Sequence, residues 1–234
     1  MKLSTALSSL ALVTTAAVCA PAQAELLLDA TNSTGIGTPT DGTSKIVGYD
    51  FTLSSAMTVT ALGVWDLGAD GLIDAHRVWL WNSSGTALAS IDVGSGTGQD
   101  TVLSSTALDW AQTVDSAWRF ESLAGPVNLA AGTYFIGAYY LEPAGGTNND
   151  TDSYLSLRGT VNTASGVTFG DGRFVDNPTL LGLSADAPTF ANGAGFFGPN
   201  LLLADPVTVP EPGSLALAAL GLMGMGLARR RKAG

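Results

Sequence analysis

One stretch of this chain gathers carboxylates around glycine turns: Asp66-Leu67-Gly68-Ala69-Asp70-Gly71-Leu72-Ile73-Asp74. Acidic side chains at such short spacing can converge on calcium, which takes about six to eight oxygen ligands. Asp66, Asp70 and Asp74 are therefore candidate calcium ligands, with Asp150 or Asp152 from a second acidic segment as a further donor. The stretch is not an EF-hand loop. Gly68 stands where that loop needs an oxygen, and the twelfth position holds Arg77 in place of a bidentate Glu. The competing reading is a solvated acidic turn. Calcium is the one cofactor these residues suggest; otherwise none is expected.

Catalytic groups are scarce. His76 is the only histidine, so a single Ser-His-Asp arrangement exists on paper, and no Gly-x-Ser-x-Gly elbow surrounds any serine. Two carboxylates at the right separation would serve a glycoside hydrolase, yet 20 acidic residues in a turn-rich chain make chance pairs common. The expectation is that the protein is not an enzyme. Trp79 and Trp81 alternate with Val78 and Leu80, so the two indoles share one face of a strand. Exposed, they would stack on sugar rings as a carbohydrate-binding surface; covered, they are core. Asn32, Asn82 and Asn149 each open a short glycosylation sequon of the kind that recurs by chance.

The elements that must position these groups read as strands. Ile46 to Leu53, Met57 to Trp65, His76 to Trp81 and Thr86 to Val93 are short runs between turn residues. Asn82-Ser83-Ser84-Gly85 predicts a hairpin turn. Thr101 to Ser116 reads as a helix or an irregular excursion. Ala117 to Leu123, Val127 to Leu129 and Thr133 to Leu141 follow as strands, and Tyr154 to Leu157, Val167 to Phe169 and Leu201 to Leu203 are further candidates. Tyr134, Ile136, Ala138 and Tyr140 fall on one face of their strand, with Phe135, Gly137, Tyr139 and Leu141 on the other. Both faces are apolar, which predicts a central strand covered on both sides. This pattern predicts an all-β fold, an antiparallel β-sandwich of jelly-roll type.

Charge narrows the function classes. All 20 acidic residues lie at or after Glu25, whereas Lys45, Arg77, Arg119, Arg158 and Arg173 are the only cations between residues 25 and 211, a formal balance of −15. Such a surface repels nucleic acid and anionic lipid. Cys19 is the only cysteine, so a chain that starts at Glu25 has neither a disulfide nor a thiol nucleophile.

Both ends read as transport signals. Met1-Lys2, the uncharged stretch Leu3 to Ala20 and the small-x-small triplet Ala22-Gln23-Ala24 predict a signal peptide over 1–24, cut by signal peptidase after Ala24. The β-domain then occupies 25–204 and a linker 205–213. An uncharged apolar run over 214–228 predicts one short transmembrane helix, and a basic tail at 229–234 should stay cytoplasmic. Fifteen residues give about 22 Å of helix, short of a bilayer core of about 30 Å. Snorkelling Arg and Lys stems recover part of that difference.

Pro210-Glu211-Pro212, the apolar run and Arg229-Arg230-Arg231-Lys232, in that order, resemble the PEP-CTERM sorting signal of Gram-negative bacteria. The resemblance implies that Pro210, Glu211 and Pro212 are read by an exosortase, a membrane-embedded cysteine protease that removes the helix. It also implies an inner-membrane-anchored intermediate, then the cell surface or extracellular matrix of an exopolysaccharide-producing host. Val59 to Asp66, Asp70-Gly71-Leu72, His76 to Trp81, Phe120 to Leu123, Pro126-Val127 and Leu129 to Tyr134 further resemble an uncharacterised β-sandwich domain common in that group. The leading expectation is an exported structural or adhesive protein of a biofilm matrix. A carbohydrate-binding module on extracellular polysaccharide, calcium-assisted or not, is the alternative, and a carboxylate-based hydrolase the third reading.

Overall fold

The computed structural model describes residues 24–29, 36–37, 44–109, 112–140, 152, 154–157, 161–176, 190–191 and 195–204. Every strand pairing among them is antiparallel. In chain order the strands are β1 (Glu25–Leu26), β2 (Leu28–Asp29), β3 (Ile36–Gly37), β4 (Lys45–Leu53), β5 (Met57–Leu67), β6 (His76–Asn82), β7 (Ala87–Val93) and β8 (Thr101–Asp109). Then come β9 (Gln112–Leu129), β10 (Gly132–Tyr140), β11 (Tyr154–Leu157), β12 (Asn162–Thr163), β13 (Val167–Asp176), β14 (Phe190–Ala191), β15 (Gly195–Phe197) and β16 (Pro199–Leu203). Two sheets carry the architecture, one in the order β1-β16-β5-β9-β8 and the other β14-β13-β4-β10-β6-β7. They stack as a β-sandwich, and two small sheets, β15-β11-β3 and β12-β2, complete it.

The period of two along each strand builds the core. Val47, Tyr49 and Phe51 of β4, Val78 and Leu80 of β6, and Ile136, Ala138 and Tyr140 of β10 face inward at alternate positions. Val59, Leu62, Val64 and Trp65 of β5, Trp118 and Phe120 of β9, and Leu201 and Leu202 of β16, from the other sheet, belong to the same buried cluster. β10 is central, as its two apolar faces predict. Its outer residues Phe135 and Tyr139 join Ile46, Trp79, Trp81 and Val175 in a second cluster on the far side of the six-stranded sheet.

Local chemistry explains the turns. Asn82 Oδ1 accepts from the Ser84 amide at 3.1 Å and the Thr86 amide at 2.9 Å, and Gly85 takes φ 81°, closing the β6–β7 hairpin. β13 breaks register between Phe169 and Gly172, where the Asp50 carboxylate accepts from the Asp171 amide at 3.1 Å and Arg173 Nε at 2.6 Å.

One segment departs from expectation. Thr101 to Ser116 is neither helix nor excursion. Its described residues, 101–109 and 112–116, are the β8 edge strand and the start of β9, paired from Thr101↔Phe120 to Asp109↔Gln112. Its Ser and Thr suit an edge, where one side of the ladder faces solvent and little apolar area is needed. The predicted strands Ala117 to Leu123 and Val127 to Leu129 are likewise one strand, β9, continuous across Pro126.

Candidate functional site

The acidic stretch sits where β5 ends and turns back towards β6. Gly68, Ala69 and Gly71 take φ 90°, 56° and 114°, so the chain reverses through left-handed backbone. Leu72 then pairs with Gly96 through two main-chain hydrogen bonds, which ties this turn to the segment after β7.

Asp66, Asp70 and Asp74 do not converge on an ion site. Asp66 is fully buried, and its Oδ2 accepts from Arg119 Nε at 2.5 Å and from the Gly71 amide at 3.1 Å. Asp70 is exposed, and Asp74 is half-buried. Among the described residues no group of three or more His, Cys, Asp or Glu side chains is placed to hold a metal ion. Asp66 is turned to a cation that the protein itself supplies.

Arg119 is the organiser that residue spacing did not reveal. It is only 3% exposed and lies in β9 between Trp118 and Phe120. Besides Asp66, it donates from Nη1 to Gln99 Oε1 and from Nη2 to the Ala69 carbonyl, both at 3.2 Å. Gln99 passes the link on to the Gly94 carbonyl at 2.5 Å. One guanidinium thus stitches β9, the end of β5, the 68–71 turn and the 94–99 segment together. The available signal was a lone cation in an otherwise apolar run, in a body with few cations.

Asp152 does come to the acidic stretch, but as an acceptor of hydrogen bonds. Its Oδ2 accepts from the Ile73 amide at 2.8 Å and the Asp74 amide at 2.9 Å, and lies 3.0 Å from His76 Nε2. His76 is buried, with Nδ1 2.9 Å from the Tyr139 carbonyl and its ring 4.6 Å from that of Tyr140. A carbonyl only accepts, so Nδ1 donates there, and Nε2 faces the Asp152 carboxyl. Both ring nitrogens thereby have a partner within hydrogen-bond distance. His76 and Asp152 act as a latch that pins the chain ahead of β11 onto the turn ahead of β6.

Two further carboxylates, Asp92 and Asp100, are held by donors close to them in space. Arg77 Nε donates to Asp92 Oδ1 at 2.6 Å on the face of β6 and β7, and that hydrogen bond holds the Asp92 carboxyl below the usual carboxylate range. The Ser122 amide does the same for Asp100. Burial raises the Tyr49 hydroxyl well above its ordinary value.

Trp79 and Trp81 share a face as their spacing requires, but the face is covered. They are 2% and 0% exposed, with ring centroids 5.9 Å apart and planes inclined by 18°. A Cβ built on Gly137 would lie 3.1 Å from the Trp81 ring, so this glycine clears the sheet for the indole. The pair is packed against the sheet and offers no open platform for a sugar ring. Of the signals at the two ends, Ala24 is exposed and directly precedes β1. Ala22, Pro210, Glu211, Pro212, Arg229, Arg230, Arg231 and Lys232 lie outside the described residues, as does the 214–228 run. No helix among the described residues is long and apolar enough to cross a membrane.

Two family models match the chain. One, described as the PEP-CTERM protein-sorting motif, covers residues 208–232, and the other, described as a Domain of unknown function (DUF4082), covers residues 32–181. No curated protein and no solved structure matches. The C-terminal match carries the order of motif, apolar run and basic end, and it marks the chain as an exported protein sorted by an exosortase by way of a membrane-anchored intermediate. The DUF4082 match takes in β3 to β13, and with well over half its length inside that match the chain belongs to the DUF4082 family.

Proposed function

We propose that this chain is a non-enzymatic structural or adhesive protein of the cell surface or extracellular matrix. Signal peptidase removes residues 1–24, residues 214–228 hold the body briefly at the inner membrane, and the exosortase frees it there. The observation that carries the reading is the sorting signal at 208–232 on an acidic β-body. The disposition of the buried charges supports it, because Asp66–Arg119 and His76–Asp152 are spent on holding strands and turns together. A body with fifteen more acidic than basic residues stays soluble and disperses among polysaccharide chains outside the cell.

The test is a deletion of the gene in its exopolysaccharide-producing host, scored by adherent biomass and by matrix retained after shear. The full chain should restore both, and a chain ending at residue 209 should restore neither. Unchanged biomass and matrix in the deletion strain would remove the structural role.

A further inference from the structure

Among the described residues the two main sheets end on β1, β8, β14 and β7. β1 and β14 are two residues long, too short to hold a further strand. β7 carries Asp92, which is tied to Arg77 of β6, and its ladder shifts register between Leu80 and Trp81. Charges and bulges of that kind guard an edge against further pairing. β8 has neither guard along its length. Its nine residues run beside β9 without a register shift and include no Lys, Arg, Pro or Gly. Asp109, at its end, is the one charge.

Only one side of β8 bonds to β9, so every second residue turns its N–H and C=O outward. Nothing among the described residues pairs with that outer side. Val102 is 44% exposed, Ser104 and Thr106 are exposed with it, and Leu103 packs inward against the core. A groove of about 310 Å³, lined by Ser104, Ser105, Thr106, Leu26 and Asp29, lies open beside the strand.

An outward row of main-chain groups is completed by another extended chain, and β8 is complementary to itself. Laid antiparallel on a second copy with Ser105 opposite Ser105, all nine residues find a partner. Thr101 meets Asp109, Val102 meets Leu108, Leu103 meets Ala107 and Ser104 meets Thr106. Hydroxyl falls opposite hydroxyl, apolar opposite apolar, and no like charges meet. Two bodies that each carry fifteen more acidic than basic residues repel elsewhere, and β8 is a nearly uncharged strip on which they can touch.

We infer that β8 docks onto β8 of a second copy of this chain, about a twofold axis through Ser105, joining the two five-stranded sheets edge to edge. Such a pairing uses the same edge on both copies, so it closes as a dimer and does not grow into fibres. It rests on the adhesive reading above for its use, which is to hold one matrix molecule to another.

The test uses the full chain expressed in its host, with Cys19→Ala to remove the one natural thiol. Ser105→Cys lies opposite its own copy across the axis, within the Cα separation a disulfide spans. Thr101→Cys lies eight residues from its own copy, about 26 Å away. Oxidation should link Ser105→Cys chains into dimers at least about tenfold more than Thr101→Cys chains, and equal linking of the two, or none at Ser105→Cys, overturns the pairing. For the parent chain purified from the host, sedimentation should give a two-chain mass, with a Kd that falls as salt rises and screens the two acidic bodies. A one-chain mass throughout, or a Kd that rises with salt, overturns it. Two double variants at exposed positions separate pairing from bulk charge. Ser104→Lys with Thr106→Asp sets opposite charges across the axis and should keep the dimer. Ser104→Lys with Thr106→Lys makes the body less acidic yet sets Lys against Lys, so its dimer should be about tenfold weaker or more, and equal Kd values for the two variants overturn the inference. A one-chain mass leaves the sorting reading intact, whereas unchanged biomass in the deletion strain removes the adhesive role and leaves the dimer standing.

Discussion

Replacing Arg119 by Met keeps most of its apolar stem and removes the charge that Asp66 faces. Asp66 would then be fully buried with the Gly71 amide as its remaining donor to Oδ2 and no partner on Oδ1 among the described residues. Leaving one member of a buried pair uncompensated costs about 3–5 kcal/mol. A domain of this size has about 5–15 kcal/mol in hand, so the loss is severe without being fatal. At about 2–4 °C per kcal/mol, Tm should fall by roughly 6–20 °C. Asp66→Leu alone should cost a similar amount, because it strands the guanidinium instead. The double variant should return to within about 2 kcal/mol of the parent, since apolar replacement of a whole buried pair is often close to neutral. The shortfall reflects the lost bonds to Gln99 and Ala69. The assay is urea unfolding of the processed protein, followed by fluorescence of Trp65 and Trp118, which face each other across β5 and β9 beside the pair. An Arg119→Met variant within about 1 kcal/mol of the parent, or single-variant losses that simply add in the double, would refute the reasoning.

Further outcomes test the packing and the surface. A Cβ on Gly48 would sit 1.9 Å from the Ile136 carbonyl oxygen, so Gly48→Ala should cost at least about 3 kcal/mol by thermal melt, while Gly94→Ala, with open space around it, should stay within about 0.5 kcal/mol. Tyr49 buries a hydroxyl with no partner among the described residues, so Tyr49→Phe should be neutral or stabilising by up to about 2 kcal/mol in urea unfolding. The Arg77 bond lowers the Asp92 carboxyl in the folded state, so its small contribution is present above the ordinary aspartate range and lost as pH falls through the lowered value. Arg77→Ala should return Asp92 to the ordinary range in a carbon-detected NMR titration, yet change stability at neutral pH by less than about 1 kcal/mol, because the pair is largely exposed.

The parts of this fold that could be read from residues alone are those where a period of two and a turn residue agree. β6, β7 and β10 have alternating apolar side chains and a glycine or asparagine at a reversal, and they form where that pattern places them. β8 was hidden because a polar edge strand carries no apolar period of its own and exists through its ladder with β9. β1 is two residues long and owes its conformation to Leu202 and Leu203, far away in the chain. The site followed the same division. The acidic turn was visible locally, but its meaning was set by Arg119, 53 residues from Asp66, and by Asp152, 76 residues from His76. Carboxylates beside glycines look like cation ligands until the distant partner is known. Two tryptophans on one strand face likewise look like a platform until their burial is known.

The most direct test of the account is an intact-mass measurement of the protein recovered from its host with and without the exosortase. With the enzyme, the surface or matrix fraction should hold a chain that begins at Glu25 and lacks residues 214–234. Without it, a chain beginning at Glu25 and ending at Gly234 should remain in the membrane fraction. An undivided Met1–Gly234 chain in the cytosol of both strains would contradict the account.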